Sequence, residues 1–467
     1  MTTTTLDRPQ LSPEFRQRRA ANWLSLGMLY AFFYATRYNY TAAAPHLADT
    51  LGWRNTDLGV FETMMPLVYG LSVVLNGPLA DRIGGKRAFL FGAVGVTVMN
   101  VLFGLASLAV IAPAEWVGTG IARHVVTPAV LGFGLTGGTL LTLMAIVWGV
   151  NGYFQSFGAL SIVKVNAQWF HVRERGTFAG VFGVLIRFGL LLAFQGVPLI
   201  LLAFPWPYAF WIPGAGVALF FLVNLRWMQN TPKDAGLGEY DTGDEANPTD
   251  VAPTVTEILN KVFASRVMWT IAAASMMVGF VRRSVVDAWW PLYFQQYQGI
   301  DKATFATSPP YLIATWGITL LGIAGGFAFG ISSDRVFGGR RAPVITFGFL
   351  GMAVVLALFG VSDMLKLGPV AAACCLLLLS FCVNGAHGMI GGAASMDFGG
   401  RKAAATAAGL FDGMQYLAGA FVGMGVGYIT TTWGWDAWHW APIPFALAGA
   451  VLMSRLWNEL PKGRGGH

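Results

Sequence analysis

An all-α membrane protein, with twelve transmembrane helices in two pseudo-symmetric six-helix halves, is what this chain should form. Three features lead there. Of 467 residues, 55% are hydrophobic and 11% charged, whereas a soluble domain carries about a quarter charged residues. Apolar runs near or above the ~20 residues that span a bilayer recur at 23–47, 58–80, 88–111, 130–168, 177–203, 208–228, 267–298, 310–332, 343–362, 369–394, 403–430 and 441–457. Finally, one loop sequence occurs twice. Gly77-Pro-Leu-Ala-Asp81-Arg82-Ile-Gly84-Gly-Lys86-Arg87 returns as Gly330-Ile-Ser-Ser-Asp334-Arg335-Val-Phe-Gly338-Gly-Arg340-Arg341. The copies lie more than half the chain apart, so the repeated unit is a half-molecule rather than a short solenoid repeat.

Residues 1–22 are polar, carry Arg8, Arg16, Arg18 and Arg19, and lead into no cleavage site. They read as a cytoplasmic tail rather than a signal peptide. The N-terminal half covers 23–228. Its fourth run is long enough for two helices, and loop charge decides for one long, bent helix. An extra crossing would put Arg173 and Arg175 outside and reverse every later loop, against the positive-inside bias. The segment 112–128, with Glu115, Arg123 and His124, is then an external loop. Residues 229–262, rich in Asp, Glu, Gly, Pro and Thr, form a flexible cytoplasmic linker. The C-terminal half covers 263–457, and 458–467 form a cytoplasmic tail. In each repeated loop the glycines, Gly77 among them, suit a tight turn. Asp81 and Asp334 can accept from a neighbouring helix's N-terminal N–H groups, while Arg82 and Arg335 stay in water.

Composition also narrows the function. Net charge is +7, but most of the cations sit in short loops, with no basic helix to follow a nucleic acid. Cys374, Cys375 and Cys382 share one apolar run, so no disulfide framework or metal site is expected. Neither Gly-rich loop ends in the Lys-Ser/Thr of an ATP-binding P-loop. No Ser-His-Asp set suggests an enzyme, and no cofactor is implied. The expected surroundings are membrane lipid, and a monomer is the expected state.

Five cations remain inside apolar runs: Arg37, Lys164, Arg187, Arg282 and Arg283. Each costs about 2.5–3.5 kcal/mol at a helix centre, so they require a polar cavity or partners. The available acids are Glu62, Asp287 and Asp412. The cavity should be net positive and its ligand an anion. Tyr30, Tyr34 and Arg37 follow i, i+4, i+7 and share one helical face. A planar donor fork flanked by phenols suits phosphate or carboxylate; the alternative is an arginine neutralised by a buried acid. Arg282 and Arg283 point about 100° apart, so one should face the cavity while the other pairs with Asp287 or Asp412. Lys164 is either a pocket cation or snorkels to the interface. Arg187 is a pocket cation or an ion-pair member. Tyr69 and Tyr416 line the pocket or simply pack. His387, beside Asn384, is a core residue, a substrate contact or a proton site.

The repeated loop resembles the signature of the major facilitator superfamily. Arg37-Tyr-Asn39-Tyr-Thr, Tyr69-Gly-Leu-Ser72, Gln155-Ser-Phe-Gly158 through Lys164 to Trp169-Phe170, Arg173-Glu-Arg175-Gly176, and Arg401-Lys402-Ala-Ala-Ala-Thr406-Ala-Ala-Gly409 with Tyr416-Leu-Ala-Gly419 are similar to its organophosphate:phosphate antiporter family. The resemblance implies secondary transport of a phosphorylated metabolite by rocker-switch exchange for inorganic phosphate. It also implies that Arg37 and one of Arg282 and Arg283 hold the phosphate, with Tyr30, Tyr34, Tyr69 and Tyr416 in support. The glycerol-3-phosphate branch has a helix 2 lysine where Val73 stands, a histidine where Gln168 stands, and another run in place of Phe182-Gly-Val-Leu-Ile-Arg187. The contacts to the organic part of the substrate should therefore differ. Proton-coupled transport of another organic anion and a transporter-shaped sensor of sugar phosphate are the competing expectations.

Overall fold

The computed structural model describes residues 11–106, 138–171, 175–242, 264–301, 303–394 and 404–459. The expected external loop at 112–128 and most of the linker lie outside them. The described residues form twelve helical rods. The first six are α1 Pro13–Leu51, α2 Asn55–Ile83, α3 Gly85–Leu105, α4 Gly138–Trp169, α5 Arg175–Leu191 and α6 Tyr208–Trp227. A π-turn at Leu192–Gly196 carries α5 on into Val197–Ala203. After the linker come α7 Arg266–Val281, α8 Pro309–Arg335, α9 Arg341–Met364, α10 Pro369–Gly388, α11 Ala404–Thr432 and α12 Ile443–Ser454.

Local chemistry explains the boundaries. α1 starts at Pro13 because Ser12 caps it, its side chain accepting from the Phe15 N–H at 3.1 Å; proline at the first helical position loses no needed donor. The helix stops at Gly52, which takes the left-handed conformation with φ 65°. α7 is not the single rod expected over 267–298. It passes through a π-turn at Arg282–Val286, breaks, and resumes as Trp290–Gln296. Trp289 sits in the break at φ 65°, a conformation bulky residues rarely take. The Trp438 indole N–H donates to the Ser284 carbonyl at 2.8 Å and so satisfies a carbonyl at the irregular turn.

The packing shows the repeat. Within the first half α1 packs on α5 and α6, α3 on α4 and α6, and α2 on α4; the same pairings recur as α7 on α11 and α12, α9 on α10 and α12, and α8 on α10. On α3, Phe91, Val94, Val98, Leu102 and Leu105 form an exposed apolar stripe at helical spacing, the inverse of a water-soluble helix. Among the described residues, seven helices, α3 to α6 and α8 to α10, are long and apolar enough to cross a membrane by length and composition alone. Among the other five, α1, α2 and α11 carry Arg37, Glu62 and Asp412 mid-helix, α7 is broken, and α12 has only 12 residues as a regular helix.

The α2–α3 and α8–α9 loops define a basic end of the bundle. Gly84 turns the first at φ 87°, and the Lys86 N–H donates to Asn230 Oδ1 at 2.8 Å. The Asp81 side chain lies outside the described set; Arg82 is exposed. In the second copy, Asp334 does not accept from helix N–H groups as expected. It pairs with the Arg341 guanidinium at 2.8 Å, a stronger, charge-assisted partner within reach, and Arg335 stays exposed.

The halves meet at the other end. α2 lies along α11, where Asn55 Nδ2 donates to Thr430 Oγ1 at 3.1 Å and the Met424 N–H donates to Thr63 Oγ1 at 2.9 Å. Across the bundle, Gln195 on α5 donates to the Ala306 carbonyl at 3.0 Å, and the Tyr311 hydroxyl of α8 donates to the Phe194 carbonyl. These seams converge away from the basic loops.

Candidate functional site

Arg37 sits midway along α1, on the face that also carries Tyr30 and Tyr34, and is only 7% exposed. Its guanidinium carbon lies 4.8 Å from the Tyr34 ring centre and 4.4 Å from that of Tyr69 on α2. Tyr416, from α11 in the other half, packs on Tyr69 with ring centres 4.6 Å apart. Tyr30 is buried edge-on against Tyr34 and Phe89, so it braces the cage from behind. Aromatic faces attract a cation by about 0.5–2 kcal/mol each, which offsets part of the burial cost without neutralising the charge.

Gln155 on α4 sets the orientation of the fork. Its Nε2 donates to the Phe33 carbonyl at 3.1 Å and to Thr36 Oγ1 at 3.0 Å, leaving Oε1 to accept from Arg37 Nη2 at 3.3 Å. Arg37 Nε is buried without a hydrogen-bond partner. Among the described residues no carboxylate lies within ion-pair distance of Arg37; Asp412, exposed on α11, acts on it only electrostatically. A cavity of about 20 Å³ between Arg37, Glu62, Arg283 and Tyr416 has room for a water molecule but not for a phosphate. A larger anion has to reach Arg37 from another side.

Both adjacent arginines of α7 have a carboxylate partner, and Asp287 is one of the two acids expected. Arg282 Nε is 2.9 Å from Asp287 Oδ2, and its Nη1 donates to Gln415 Oε1 at 3.2 Å. The same Nη1 lies 3.5 Å from His387 Nε2, while Gln415 Nε2 lies 2.9 Å from His387 Nδ1. Arg282, His387 and Gln415 therefore form one polar cluster. Arg283 pairs with Glu62 on α2 at 3.1 Å and has Asp287 Oδ2 at 3.9 Å, and Glu62 also accepts from Thr41 at 2.5 Å. This ion pair joins the two halves on the closed side of Arg37.

Lys164 donates to the Ala80 carbonyl at 3.2 Å, near the C-terminal end of α2, where the helix dipole favours a cation. It is nine residues beyond Gln155 on α4, about 13 Å toward the basic end, and so is not part of the Arg37 cage. Arg187, on α5, donates to Asn384 Oδ1 on α10 at 2.8 Å. Glutamines 155 and 415 were not among the sequence candidates. Neither is charged, and only the contacts reveal that each holds an arginine.

The Glu62–Arg283 pair makes a prediction. Glu62→Gln leaves a buried guanidinium short of its counter-charge, at a cost of about 1–2 kcal/mol to the closed seam, since the pair retains some solvent contact. Maleimide labelling of Thr56→Cys, in a background lacking the three native cysteines, should rise about five- to thirty-fold. Unchanged labelling would mean that the pair does not hold the seam.

Residues 26–424 match the family model described as Major Facilitator Superfamily. A probable hexose phosphate transport protein of Chlamydia trachomatis is 25% identical over 95% of this chain and 92% of its own length. The glycerol-3-phosphate transporter of Bacillus subtilis is 26% identical over 97% and 95%, and the membrane sensor protein UhpC of Escherichia coli 24% identical over 92% and 90%. Among solved structures, an inward-facing, unoccupied bacterial homologue of the human lysosomal transporter Spinster superposes with a TM-score of 0.70 over 96% of this chain and 98% of that one, at 14% identity. With a family model covering most of its length and the fold repeated in that structure, this chain belongs to the major facilitator superfamily.

Proposed function

We propose that the protein moves a small phosphorylated metabolite across the membrane in exchange for inorganic phosphate, and that Arg37 and Arg282 bind the phosphoryl group. One observation carries the reading: Arg37 is a buried guanidinium with an unpartnered Nε and no carboxylate beside it. A cation in that setting is stabilised by an oxyanion ligand, and the planar fork matches phosphate bidentately. Arg282 is the second donor because its Asp287 pair uses Nε while Nη1 meets only the neutral Gln415 and His387, whereas Arg283 turns Nη2 to Glu62 and Nη1 toward Asp287. The hexose phosphate and glycerol-3-phosphate relatives support the same class of ligand.

Alternating access follows from rocking of the halves about this level. The positive-inside bias of the basic loops supports a cytoplasmic open side and cytoplasmic termini, and a bacterial inner membrane is the proposed site of action. A phosphoryl group bridging Arg37 of one half and Arg282 of the other screens their repulsion and draws the halves together. Similarity to a membrane sensor protein favours a second reading, in which the ligand is bound but not carried. Proteoliposomes loaded with inorganic phosphate distinguish these readings. Transport predicts uptake of labelled glycerol-3-phosphate or glucose-6-phosphate that requires internal phosphate and survives an uncoupler. Loss of uptake with the uncoupler would mean proton coupling, and binding without uptake would mean a sensor.

A further inference from the structure

Among the described residues, Arg187 is the second intramembrane arginine with no carboxylate at ion-pair distance. Arg282 has Asp287 and Arg283 has Glu62. Among the described residues, Arg187 has only the neutral amide oxygen of Asn384, at 2.8 Å. Arg187 is half-buried, and its Nη2 reaches across from α5 to α10 of the other half. Two residues further along α5, a Cβ at Gly189 would lie 2.4 Å from the Ala31 carbonyl and 2.6 Å from Tyr34 Cβ, which brings α5 against the Tyr34 side of the Arg37 cage. On α10, Asn384 lies one turn before His387, about 4.5 Å of rise. His387 in turn lies beside Arg282. Arg187 thus stands about one helical turn from the Arg282 cluster, on the seam between α5 and α10, with spare donors.

The argument is local rather than one of net charge, because Glu62, Asp287, Asp412 and one phosphoryl group together already offset the four central arginines. A phosphoryl group held by Arg37 and Arg282 leaves Arg187 with a neutral amide as its partner among the described residues. A charge of this kind in a membrane interior is costly unless a ligand or water compensates it.

We propose that Arg187 and Asn384 form a second anion subsite, and that the preferred substrate is a short metabolite with two anionic groups, a phosphate and a second carboxylate or phosphate. The phosphoryl group occupies the Arg37–Arg282 position, and a short carbon chain carries the second anion one turn away to Arg187. Arg187 donates to that anion, and Asn384, whose Nδ2 donates to the Ser380 carbonyl at 2.9 Å and to Ser380 Oγ at 3.0 Å, keeps the fork pointed at it. Because Arg187 belongs to one half and Asn384 to the other, the second anion reinforces the bridging made by the first. The inference rests on the phosphoryl-binding reading of Arg37.

The test compares binding of 3-phosphoglycerate, propane-1,3-diyl bisphosphate, glycerol-3-phosphate and succinate to the purified full-length protein by calorimetry. Wild type should bind at least one of the two-anion phosphates ten-fold or more tighter than glycerol-3-phosphate, and which one does so identifies the second group. Arg187→Gln should remove that preference. Asn384→Asp keeps the arginine but gives it a built-in counter-ion, and should remove the preference too. Equal weakening of all ligands in Arg187→Gln, or no preference in wild type, overturns the subsite. If succinate alone binds, and does so through Arg187, the second subsite stands and the phosphoryl reading of Arg37 fails. If no ligand binds, both fail.

Discussion

Arg37→Lys abolishes exchange, lowering phosphate-driven uptake at least a hundred-fold, while the protein still inserts and purifies as a folded species. The side chain keeps its charge and its length is similar, so a purely electrostatic role would survive the change. What lysine cannot supply is the planar fork. In the native site Nη2 is committed to Gln155 while Nε is left free, so geometry decides which donors face the ligand. An ammonium is a strongly hydrated point charge with rotatable donors, and it fits neither the flat slot between Tyr34 and Tyr69 nor a bidentate oxyanion. Losing two charge-assisted bonds of about 1.5–3 kcal/mol each accounts for the hundred-fold or greater loss. Uptake in proteoliposomes, normalised to inserted protein, checks it. Wild-type exchange would remove Arg37 from the ligand site.

Gly423→Val locks the carrier with its basic end shut and its opposite end open. At the α2–α11 seam, a Cβ on Gly423 would stand 2.4 Å from the Thr63 amide nitrogen and 2.5 Å from the Glu62 carbonyl carbon. These are main-chain atoms in the middle of a helix, so no rotamer change relieves the clash. Overpacking that side chains can absorb costs about 1–3 kcal/mol; a backbone clash exceeds that. The other half of the cycle, in which the seam is parted, has no such collision. Labelling of Thr56→Cys should then rise by about two orders of magnitude over the same cysteine in the native background, and exchange should stop. Labelling at the native level with intact exchange would mean that the seam is not part of the cycle.

Much of this molecule was legible in its sequence, and the misses share a cause. The spans of α3, α8 and α9 were readable from apolar run length because nothing but length and lipid contact sets them. α1 begins ten residues before its apolar run, at a Ser-Pro cap that hydropathy does not register. The break in α7 went unseen because Trp289 carries it, where glycine would have announced it. The Tyr30–Tyr34–Arg37 face was readable because helical spacing is local. The Glu62–Arg283 pair was not, since its members are 221 residues apart and meet only when the halves close. Lys164 could not be assigned from position alone, because a carbonyl at a helix end competes with a pocket for the same cation.

The central claim is that a guanidinium inside the membrane is left unneutralised so that a phosphoryl group can neutralise it. A structure determined in saturating inorganic phosphate tests this most directly. The account predicts tetrahedral density within hydrogen-bonding distance of the Arg37 guanidinium, with Arg282 on its far side and Gln155 still holding Nη2. Arg37 turned onto Asp412, with phosphate bound elsewhere or nowhere, would contradict it.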